Sequence, residues 1–286
     1  MTDRVWLDYD QAALDRQYDQ RSLVPDSERY TARYDEESVR VRAALAHRRD
    51  VAYGASADES LDVFPAASRG APVVVFVDGG AWTRQHKDSY SFVAAALVPA
   101  GVAVVVTNFS LVPQVTLDEL VRQNRAAVAW TARNAGSFGA DPDRLFVAGH
   151  SSGGHVAAML ATTDWRAFGL AADAVKGGIC LSGMYDLEPV RLSARNLYLK
   201  LDSDAARRNS PIHRIPDRPL PLIIGYGAGE LAEFQRQSRT FAAAWTARGY
   251  LLSLFEFAGR NHFEVAFELA RRDSVLFPAM SRLVGV

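Results

Sequence analysis

A glycine-flanked serine is the feature of the chain with the clearest chemical potential. Residues 149–153 read Gly-His-Ser-Ser-Gly, with Ser151 at the centre of a Gly-x-Ser-x-Gly motif. The largely apolar residues 144–148 before it suit a strand, and the small residues 155–162 after it suit a helix. A sharp strand-to-helix turn exposes the hydroxyl above the sheet edge, where the helix N-terminus favours developing negative charge. We therefore predict that Ser151 is a nucleophile; a glycine-rich turn with an ordinary serine is the alternative.

A serine hydroxyl is a weak nucleophile, so the motif requires a base elsewhere in the chain. Where such a turn carries a triad, the acid and then the histidine follow the serine in chain order. Of the six histidines, only His213 and His262 lie well downstream of Ser151. His262 follows the last predicted strand, whereas His213 lies in a proline-rich segment, so we predict His262 as the base. His150 and His155 lie in the motif and its helix, where we interpret them as scaffold or pocket wall.

A carboxylate that orients the base is expected after the strand predicted at residues 222–226. Glu230 is in that position, where it would hold the tautomer of His262 and stabilise the imidazolium. Asp186, which follows the preceding predicted strand, is the rival, although it could equally cap the next segment. Glu233 lies one helical turn beyond Glu230 and is expected to face solvent. Chain order favours Glu230 over Asp186.

Acyl transfer also needs N–H donors that stabilise an oxyanion. Ser152, directly after the nucleophile, should supply one backbone N–H. The loop after the strand predicted at residues 71–77 should supply the others, from Gly79 and Gly80, with Ala81 as a further candidate. Asp-Gly-Gly alone is a common turn sequence, but its place ahead of the serine motif and after a strand makes it informative.

Alternating strand and helix patterns indicate how these residues are brought together. Short β-branched runs bounded by Gly, Pro or Asp predict buried strands, with segments of helical spacing between them. This alternation predicts an α/β fold with a mostly parallel sheet and helices on both faces, in which ligands bind beyond the carboxyl ends of the strands. The predicted strands are 61–64 at the sheet edge, 71–77, 102–107, 144–148, 175–181, 222–226 and 251–257, and the predicted helices are 89–98, one that a capping box opens at 116, 155–162, 233–248 and one from about 264.

Bulk composition limits the classes of function. The chain has 286 residues, 49% of them hydrophobic, and no linker divides it, so we predict a single domain with an N-terminal arm over residues 1–57 and a small cap insertion over residues 188–218. A formal net charge of −1 argues against nucleic acid and anionic membranes as partners. Cys180, the single cysteine, excludes an internal disulfide and a cysteine-built zinc site. Without a signal peptide or a membrane-spanning run, we expect a cytoplasmic protein.

Further stretches complete a family pattern. They lie at residues 78–82, 139–144, 149–155, 181–187, 210–212, 230–238 and 261–263, and the run Glu-x-x-Glu-Phe-x-Arg-Gln-Ser at 230–238 is the most particular. With these stretches the chain resembles the kynurenine formamidase (arylformamidase) group of α/β-hydrolases over most of its length after about residue 52. The resemblance implies an α/β-hydrolase fold with the acid of the triad at Glu230 and no metal or organic cofactor. Related enzymes often form homodimers.

Residues 78–82 depart from the pattern of that group. Its usual oxyanion loop is His-Gly-Gly-Tyr-Trp, whereas these residues read Asp-Gly-Gly-Ala-Trp. A carboxylate beside an oxyanion would oppose it, so we expect Asp78 to point away and to accept N–H bonds of its loop. Ala81 in place of tyrosine enlarges or depolarises one pocket wall. The acid of the group is often aspartate, but Glu230, one methylene longer, can still orient an imidazole.

The expected partner is a small-molecule substrate in a modest pocket. The candidate substrate-binding residues are Trp82, Tyr185, Asp78 and Ala81, and Phe109 and Tyr198 are further aromatic candidates. We predict a serine hydrolase that acts on a small aryl amide or formamide through an acyl-enzyme on Ser151. A carboxylesterase for small esters is the alternative, and a non-catalytic ligand-binding protein on a hydrolase scaffold is a third interpretation.

Overall fold

An eight-stranded sheet forms the centre of the protein. The computed structural model describes residues 4–286. The strands are β1 (Arg48–Ala52), β2 (Ser60–Phe64), β3 (Ala71–Val77), β4 (Ala103–Thr107), β5 (Ala140–His150), β6 (Val175–Leu181), β7 (Leu222–Gly227) and β8 (Leu252–Phe257). Their order across the sheet is β1-β2-β4-β3-β5-β6-β7-β8. The β1–β2 and β2–β4 pairs are antiparallel and all other neighbours pair in parallel, so most carboxyl ends meet at one edge.

The outer edge of the sheet lies one strand further out than the sequence predicts. Residues 61–64 are not an edge strand, because β2 pairs with β1 on one side and β4 on the other. β1 comes from the region predicted as an arm, and its residues Arg48, Arg49 and Asp50 are exposed. A strand at the exposed edge of a sheet can be polar along its whole length. Such a strand lacks the apolar alternation by which strands are recognised in a sequence.

Alternate side chains of the central strands fill two hydrophobic layers, one on each face of the sheet. On β3, Val73, Val75 and Val77 enter one layer while Val74 and Phe76 enter the other, and all five are buried. This two-sided burial explains why the strand reads as a continuous apolar run. A strand packed on both faces gives the loop at its carboxyl end a rigid support.

Helices cover both layers, which confirms the predicted α/β class. The helices are α1 (Gln11–Arg16), α2 (Glu28–Ala44), α3 (Ala94–Leu97), α4 (Leu117–Asn134), α5 (Ser152–Ala161), α6 (Glu188–Leu192), α7 (Asn196–Leu199), α8 (Ser203–Arg208), α9 (Ala232–Ala247), α10 (His262–Val265) and α11 (Phe277–Val284). Helices α4, α5 and α9 pack on one layer, and α2, α3 and α11 pack on the other. The predicted helix 89–98 is instead a series of short 3₁₀ turns around α3.

The predicted arm and cap contain short helices. The arm holds α1, α2 and the strand β1, and its residues 1–3 lie outside the described part of the chain. Residues 188–218 hold α6, α7, α8 and a 3₁₀ turn. Among residues 4–286, every helix is too short or too polar to cross a membrane.

Candidate active site

Ser151 lies on a strained turn between β5 and α5. Its φ of 59° and ψ of −125° fall outside the regions that residues with a side chain prefer. The turn closes because Gly149 and Gly153 lack side chains, since a β-carbon on either would lie 2.1 Å from a backbone oxygen. The Ser151 N–H donates to the Leu181 carbonyl oxygen at the end of β6, at 2.9 Å. These contacts fix the serine at the carboxyl edge of the sheet.

Ser151, His262 and Glu230 form one hydrogen-bonded chain. His262 Nε2 lies 2.8 Å from Ser151 Oγ, and His262 Nδ1 lies 3.0 Å from Glu230 Oε2. All three residues are buried. A carboxylate on Nδ1 holds the proton there, which leaves Nε2 free to accept the proton of the serine hydroxyl. The structure thus brings together the three side chains that the sequence singles out, in the geometry that an activated serine requires.

The second oxygen of the Glu230 carboxylate is also held. Glu230 Oε1 accepts hydrogen bonds from the Ser182 hydroxyl and from the Gly227 N–H, the latter at 2.8 Å. The rival acid Asp186 instead accepts the backbone N–H of Glu188, the first residue of α6, at 3.0 Å. The structure therefore places Glu230, and not Asp186, behind the histidine.

His262 is positioned through its backbone as well as its ring. It is the first residue of α10, where Asn261 and Glu264 form a capping box. His150 Nε2 lies 2.8 Å from the His262 carbonyl oxygen, so this nitrogen carries a proton and donates it. Burial, together with the neighbouring His262, holds the pKa of His150 well below its usual value. His150 is therefore neutral and ties the turn of the nucleophile to the backbone of the base.

Two other histidines stand apart from the hydrogen-bonded chain. His155 Nδ1 accepts the Trp82 indole N–H at 3.2 Å, and its Nε2 donates to the Asn209 carbonyl oxygen at 2.7 Å. Burial lowers the pKa of His155 to about 4. His213 is exposed in the turn Pro211–His213. Both positions agree with the scaffold role assigned to His155 and with the choice of His262 over His213.

The loop after β3 brings two glycines beside the nucleophile. A β-carbon on Gly79 would lie 3.2 Å from the Ser151 Cβ, and one on Gly80, whose φ is 114°, would lie 2.0 Å from the Arg84 carbonyl oxygen. The Gly79 N–H faces the Tyr90 hydroxyl and moderates the rise in the pKa of that buried phenol. Ser152, the first residue of α5, has a backbone N–H without a partner inside the helix. Both predicted sources of oxyanion donors therefore flank Ser151.

Named enzymes and a family model resemble this chain in sequence. The BD-FAE family model matches residues 61–174. The kynurenine formamidase of Danio rerio is 28% identical over 253 residues, which cover 86% of this chain and 85% of that protein. Esterase LipQ of Mycobacterium tuberculosis is 28% identical over 270 residues, which cover 86% of this chain and 63% of that protein.

A solved structure extends the likeness to three dimensions. The crystal structure of a proposed thioesterase from Silicibacter sp. TM1040 superposes with a TM-score of 0.81 at 26% identity, covering 94% of this chain and 98% of the other. This chain has the α/β-hydrolase fold. Its resemblance to the kynurenine formamidases is confirmed by the extent of the match along both chains.

Asp78 of the hydrolase is buried, and the expectation that it accepts N–H bonds from the rest of its loop is wrong. Its exposed fraction is 2%, and Oδ1 has no hydrogen-bond partner among residues 4–286. Burial raises the pKa of Asp78 well above its ordinary value, and only its own N–H opposes the shift. Burial therefore favours the neutral form of the carboxyl group over the charged form. In the neutral form Asp78 places no negative charge beside the loop after β3.

The aromatic residues expected to contact substrate lie in the hydrophobic core of the hydrolase. Trp82 and Tyr185 are 1% and 0% exposed, and the Tyr185 hydroxyl donates to the Cys180 carbonyl oxygen at 3.0 Å. Phe109 and Tyr198 pack against the same layer. Each follows a strand or lies in the cap, as expected, but its side chain turns inward to support the loops. The expectation that Trp82 and Tyr185 bind substrate is therefore corrected.

The cavity beside Ser151 is lined largely by the N-terminal arm, with Ala81 as the one predicted substrate-binding residue on its wall. Its volume is about 90 Å³. The aromatic lining residues are Tyr18, Tyr34, Tyr90 and Phe263, and the cationic ones are Arg21, Arg84 and Arg195. The sequence reveals no motif at these positions. The available signal was the group of tyrosines in an otherwise polar arm.

Glu233 joins the arm to α9. The expectation that it faces solvent is wrong, because its side chain is fully buried. Its carboxylate pairs with Arg236 at 2.7 Å and lies 3.4 Å from the Tyr18 hydroxyl, while the Gln17 side chain accepts its backbone N–H at 3.1 Å. The arm covers the start of α9, and helical spacing alone does not reveal that cover.

Proposed function

We propose that the hydrolase cleaves small aryl amides or formamides through an acyl-enzyme on Ser151. The observation that carries the proposal is the continuous hydrogen-bonded chain from Glu230 through His262 to Ser151, set on a strained turn. Similarity to a kynurenine formamidase supports the formamide class. The substrate is a small molecule, and the chemistry needs only the side chains and backbone groups of this chain.

Acylation begins at the serine hydroxyl. His262 Nε2 takes the proton as Ser151 Oγ attacks the carbonyl carbon, and the buried Glu230 carboxylate stabilises the imidazolium. When the tetrahedral intermediate collapses, the carbon–nitrogen bond breaks and His262 donates its proton to the departing amine. The acyl group stays on Ser151 as an ester.

Deacylation repeats the same steps with water. His262 removes a proton from the water, the hydroxide oxygen attacks the acyl carbon, and the proton returns to Ser151 Oγ as the carboxylic acid leaves. In both halves the negative oxygen rests on the N–H groups of Gly80 and Ser152, because the predicted third donor, Gly79, directs its N–H to the Tyr90 hydroxyl. Burial disfavours a negative charge on Asp78 that would oppose this oxyanion.

The size of the cavity supports a short acyl group. About 90 Å³ lies well below the roughly 300–1,000 Å³ of pockets for drug-sized ligands. A formyl or acetyl group fits such a space, whereas a polymer chain or a long acyl chain does not. The arm residues Tyr18 and Tyr34 line this space.

A carboxylesterase for small esters is the second candidate, and similarity to an esterase supports it. The same three side chains can serve both reactions. An alkoxide or phenoxide leaving group depends less on protonation by His262 than an amine does, so ester cleavage requires no further group in the site. The two are separated by comparing kcat/KM for N-formylkynurenine, other aryl formamides and short p-nitrophenyl esters. Formamide turnover supports the first candidate, and ester turnover alone supports the second.

Labelling with a fluorophosphonate probe tests the nucleophile. We expect wild-type protein to be labelled at one site and Ser151→Ala to lose the label, with kcat reduced by at least about 10⁴-fold. Ser137→Ala, which removes an exposed hydroxyl outside the cavity, is the matched control and should retain both. Unlabelled wild type, or full labelling of Ser151→Ala, contradicts the proposal and leaves a ligand-binding protein as the reading.

A further inference from the structure

Tyr90 brings a phenol hydroxyl to the cavity that contains Ser151. The residue joins the 3₁₀ turns Lys87–Ser89 and Ser91–Val93 and lines that cavity. A β-carbon built on Gly79 would lie 3.1 Å from the Tyr90 hydroxyl oxygen and 3.2 Å from Ser151 Cβ. The hydroxyl and the nucleophile therefore lie beside the same glycine, separated by no more than the sum of those two distances.

The Tyr90 hydroxyl faces a donor but has no acceptor for its own proton. The Gly79 N–H points to the hydroxyl oxygen, and among residues 4–286 no group accepts a hydrogen bond from that hydroxyl in return. Tyr34 and Tyr185, which are also buried, each donate to a carbonyl oxygen. A buried polar hydrogen without an acceptor costs free energy. The proton of Tyr90 is therefore available to a ligand in the cavity.

The surroundings hold the phenol in place and keep it protonated. Its ring packs against Tyr34, Phe76 and Phe92, with ring centroids 5.3, 5.6 and 5.6 Å away. Burial raises the pKa of Tyr90, and the Gly79 N–H opposes only part of that rise. The hydroxyl thus retains its proton at neutral pH and well above it, which is the state that a hydrogen-bond donor requires.

The contact with Gly79 makes the phenol a stronger donor. A hydroxyl whose oxygen accepts a hydrogen bond is polarised, so the hydrogen bond that it donates in turn is strengthened. Because the Gly79 N–H is directed to Tyr90, the backbone donors that remain for an oxyanion are those of Gly80 and Ser152. The Tyr90 hydroxyl is a side-chain donor beside the position that Gly79 leaves open.

We propose that Tyr90 is a catalytic residue, whose hydroxyl donates a hydrogen bond to the oxyanion that forms when Ser151 attacks the carbonyl carbon. The inference rests on the proposed function, to which it adds a side-chain donor beside the N–H groups of Gly80 and Ser152. As Ser151 Oγ bonds to the carbon, one electron pair of the carbonyl double bond moves to the oxygen, and Tyr90 keeps its proton. A negative oxygen attracts the phenol more strongly than a neutral carbonyl oxygen does. The contact therefore lowers the barrier more than it tightens substrate binding.

Tyr90→Phe removes the hydroxyl and keeps the packed ring. We expect kcat for the preferred substrate to fall by about 10²–10³-fold, with KM changed by less than about 3-fold. Tyr250→Phe, which removes a hydroxyl that donates to the Pro216 carbonyl oxygen at 2.8 Å outside the cavity, is the matched control and should keep the wild-type kcat. Thermal unfolding curves check that both variants are folded. A loss of kcat smaller than about 10-fold in Tyr90→Phe overturns the inference.

A ketone that stops at the tetrahedral stage separates contact with the oxyanion from mere support of the loop. 2,2,2-Trifluoroacetophenone adds Ser151 Oγ at its carbonyl carbon, the serine proton passes to His262, and the ketone oxygen becomes an oxyanion. Its inhibition constant should rise in Tyr90→Phe by about the factor lost from kcat/KM. That of acetophenone, which binds without adding the serine, should change by less than about 3-fold. Equal weakening of both ketones assigns Tyr90 a structural role and overturns the inference.

Failure of this inference is distinguishable from failure of the proposed function. A wild type that turns over its substrate no faster than Tyr90→Phe upholds the proposed function and removes the role of Tyr90. A wild type that neither reacts with the fluorophosphonate nor turns over formamides or esters removes both, because no oxyanion then forms for Tyr90 to contact.

Discussion

Glu230 shows how one side chain can be fixed at both carboxylate oxygens. Oε2 faces His262, while Ser182 and Gly227 donate to Oε1. With both oxygens engaged and the residue buried, the carboxylate has one orientation from which to hold the imidazole. Replacing the carboxylate therefore changes the protonation pattern of the histidine rather than its position.

Glu230→Gln is expected to lower kcat by roughly 10³–10⁴-fold without unfolding the protein. The side-chain amide can donate to His262 Nδ1, which moves the imidazole proton to Nε2 and removes the acceptor for the serine proton. Kinetics on the preferred substrate, with a thermal unfolding curve for each variant, measure this. Asp186→Asn is the matched control, and loss of turnover in that variant alone would assign the acid to Asp186.

Asp78→Asn should stabilise the protein at alkaline pH. The pKa of Asp78 is raised in the folded state, so above about pH 4 the folded protein retains a proton that the unfolded chain releases. Stability due to this group therefore falls as pH rises from about 4 towards the folded pKa. Asparagine removes the dependence, so the Tm of the variant should exceed that of wild type at pH 8, with a difference that shrinks towards pH 4. Exposed Asp143→Asn should show no such trend.

At the scale of residues, the sequence predicts where candidate site residues lie along the chain better than it predicts whether their side chains are exposed. The serine motif and chain order predict Ser151, Glu230 and His262, which the structure brings into one hydrogen-bonded chain. Chain order did not show that Trp82 and Tyr185 turn into the core, because the direction of a side chain after a strand depends on what packs there. The arginines of the cavity carry no local pattern, since they meet only once the arm and cap are in place.

An ion cluster links the outer strands β1 and β2 to the 3₁₀ turn Lys87–Ser89. Lys87 is fully buried and its ammonium lies 2.7 Å from Asp50 of β1, 2.8 Å from Asp62 of β2 and 3.1 Å from Asp88. Asp62 is itself fully buried. One cation therefore holds two strands and a 3₁₀ turn together.

Lys87→Met should destabilise the protein by about 3–5 kcal/mol, because it leaves the buried Asp62 carboxylate with only the Arg49 guanidinium, 3.8 Å away, as a cation. Urea denaturation measures the free energy of unfolding. Lys176→Met, which breaks the outlying pair with Asp173, is the matched control and should cost less than about 1 kcal/mol. Equal losses in the two variants would show that the cluster is no stronger than a surface ion pair.

The predictability of each element follows from its burial. Strands packed on both faces, such as β3 and β6, have apolar runs that the sequence displays clearly. β1 is not predicted because its exposed, mostly polar residues show no alternation with apolar ones, which is the pattern that identifies a strand. The segment 89–98 has helical composition, but tertiary packing divides it into short turns.

The arm is part of the body of the molecule. Tyr34 of α2 packs against Tyr90, Phe92 and Phe267 with ring centroids 5.3, 5.1 and 5.1 Å away. Its hydroxyl donates to the carbonyl oxygen of Phe263, the residue directly after His262. Arm and sheet should therefore lose their structure together.

Tyr34→Ala is expected to lower the free energy of unfolding by about 3–5 kcal/mol within a single cooperative transition. The reason is the cavity left between the arm and the sheet. Tyr34→Phe keeps the ring and should cost only about 1 kcal/mol. Calorimetry measures both, and a separate low-temperature transition for the arm would contradict a single domain.

The polar strand β1 has a consequence for how copies of the molecule can meet. Its arginines and aspartate would have to shed water before another strand could pair there, which discourages strand addition. At the opposite border, β8 presents Leu254 with 43% of its surface exposed. Two copies that paired along β8 about a two-fold axis would use up that border in both. Because β1 discourages pairing at the other border, such association would end at two copies.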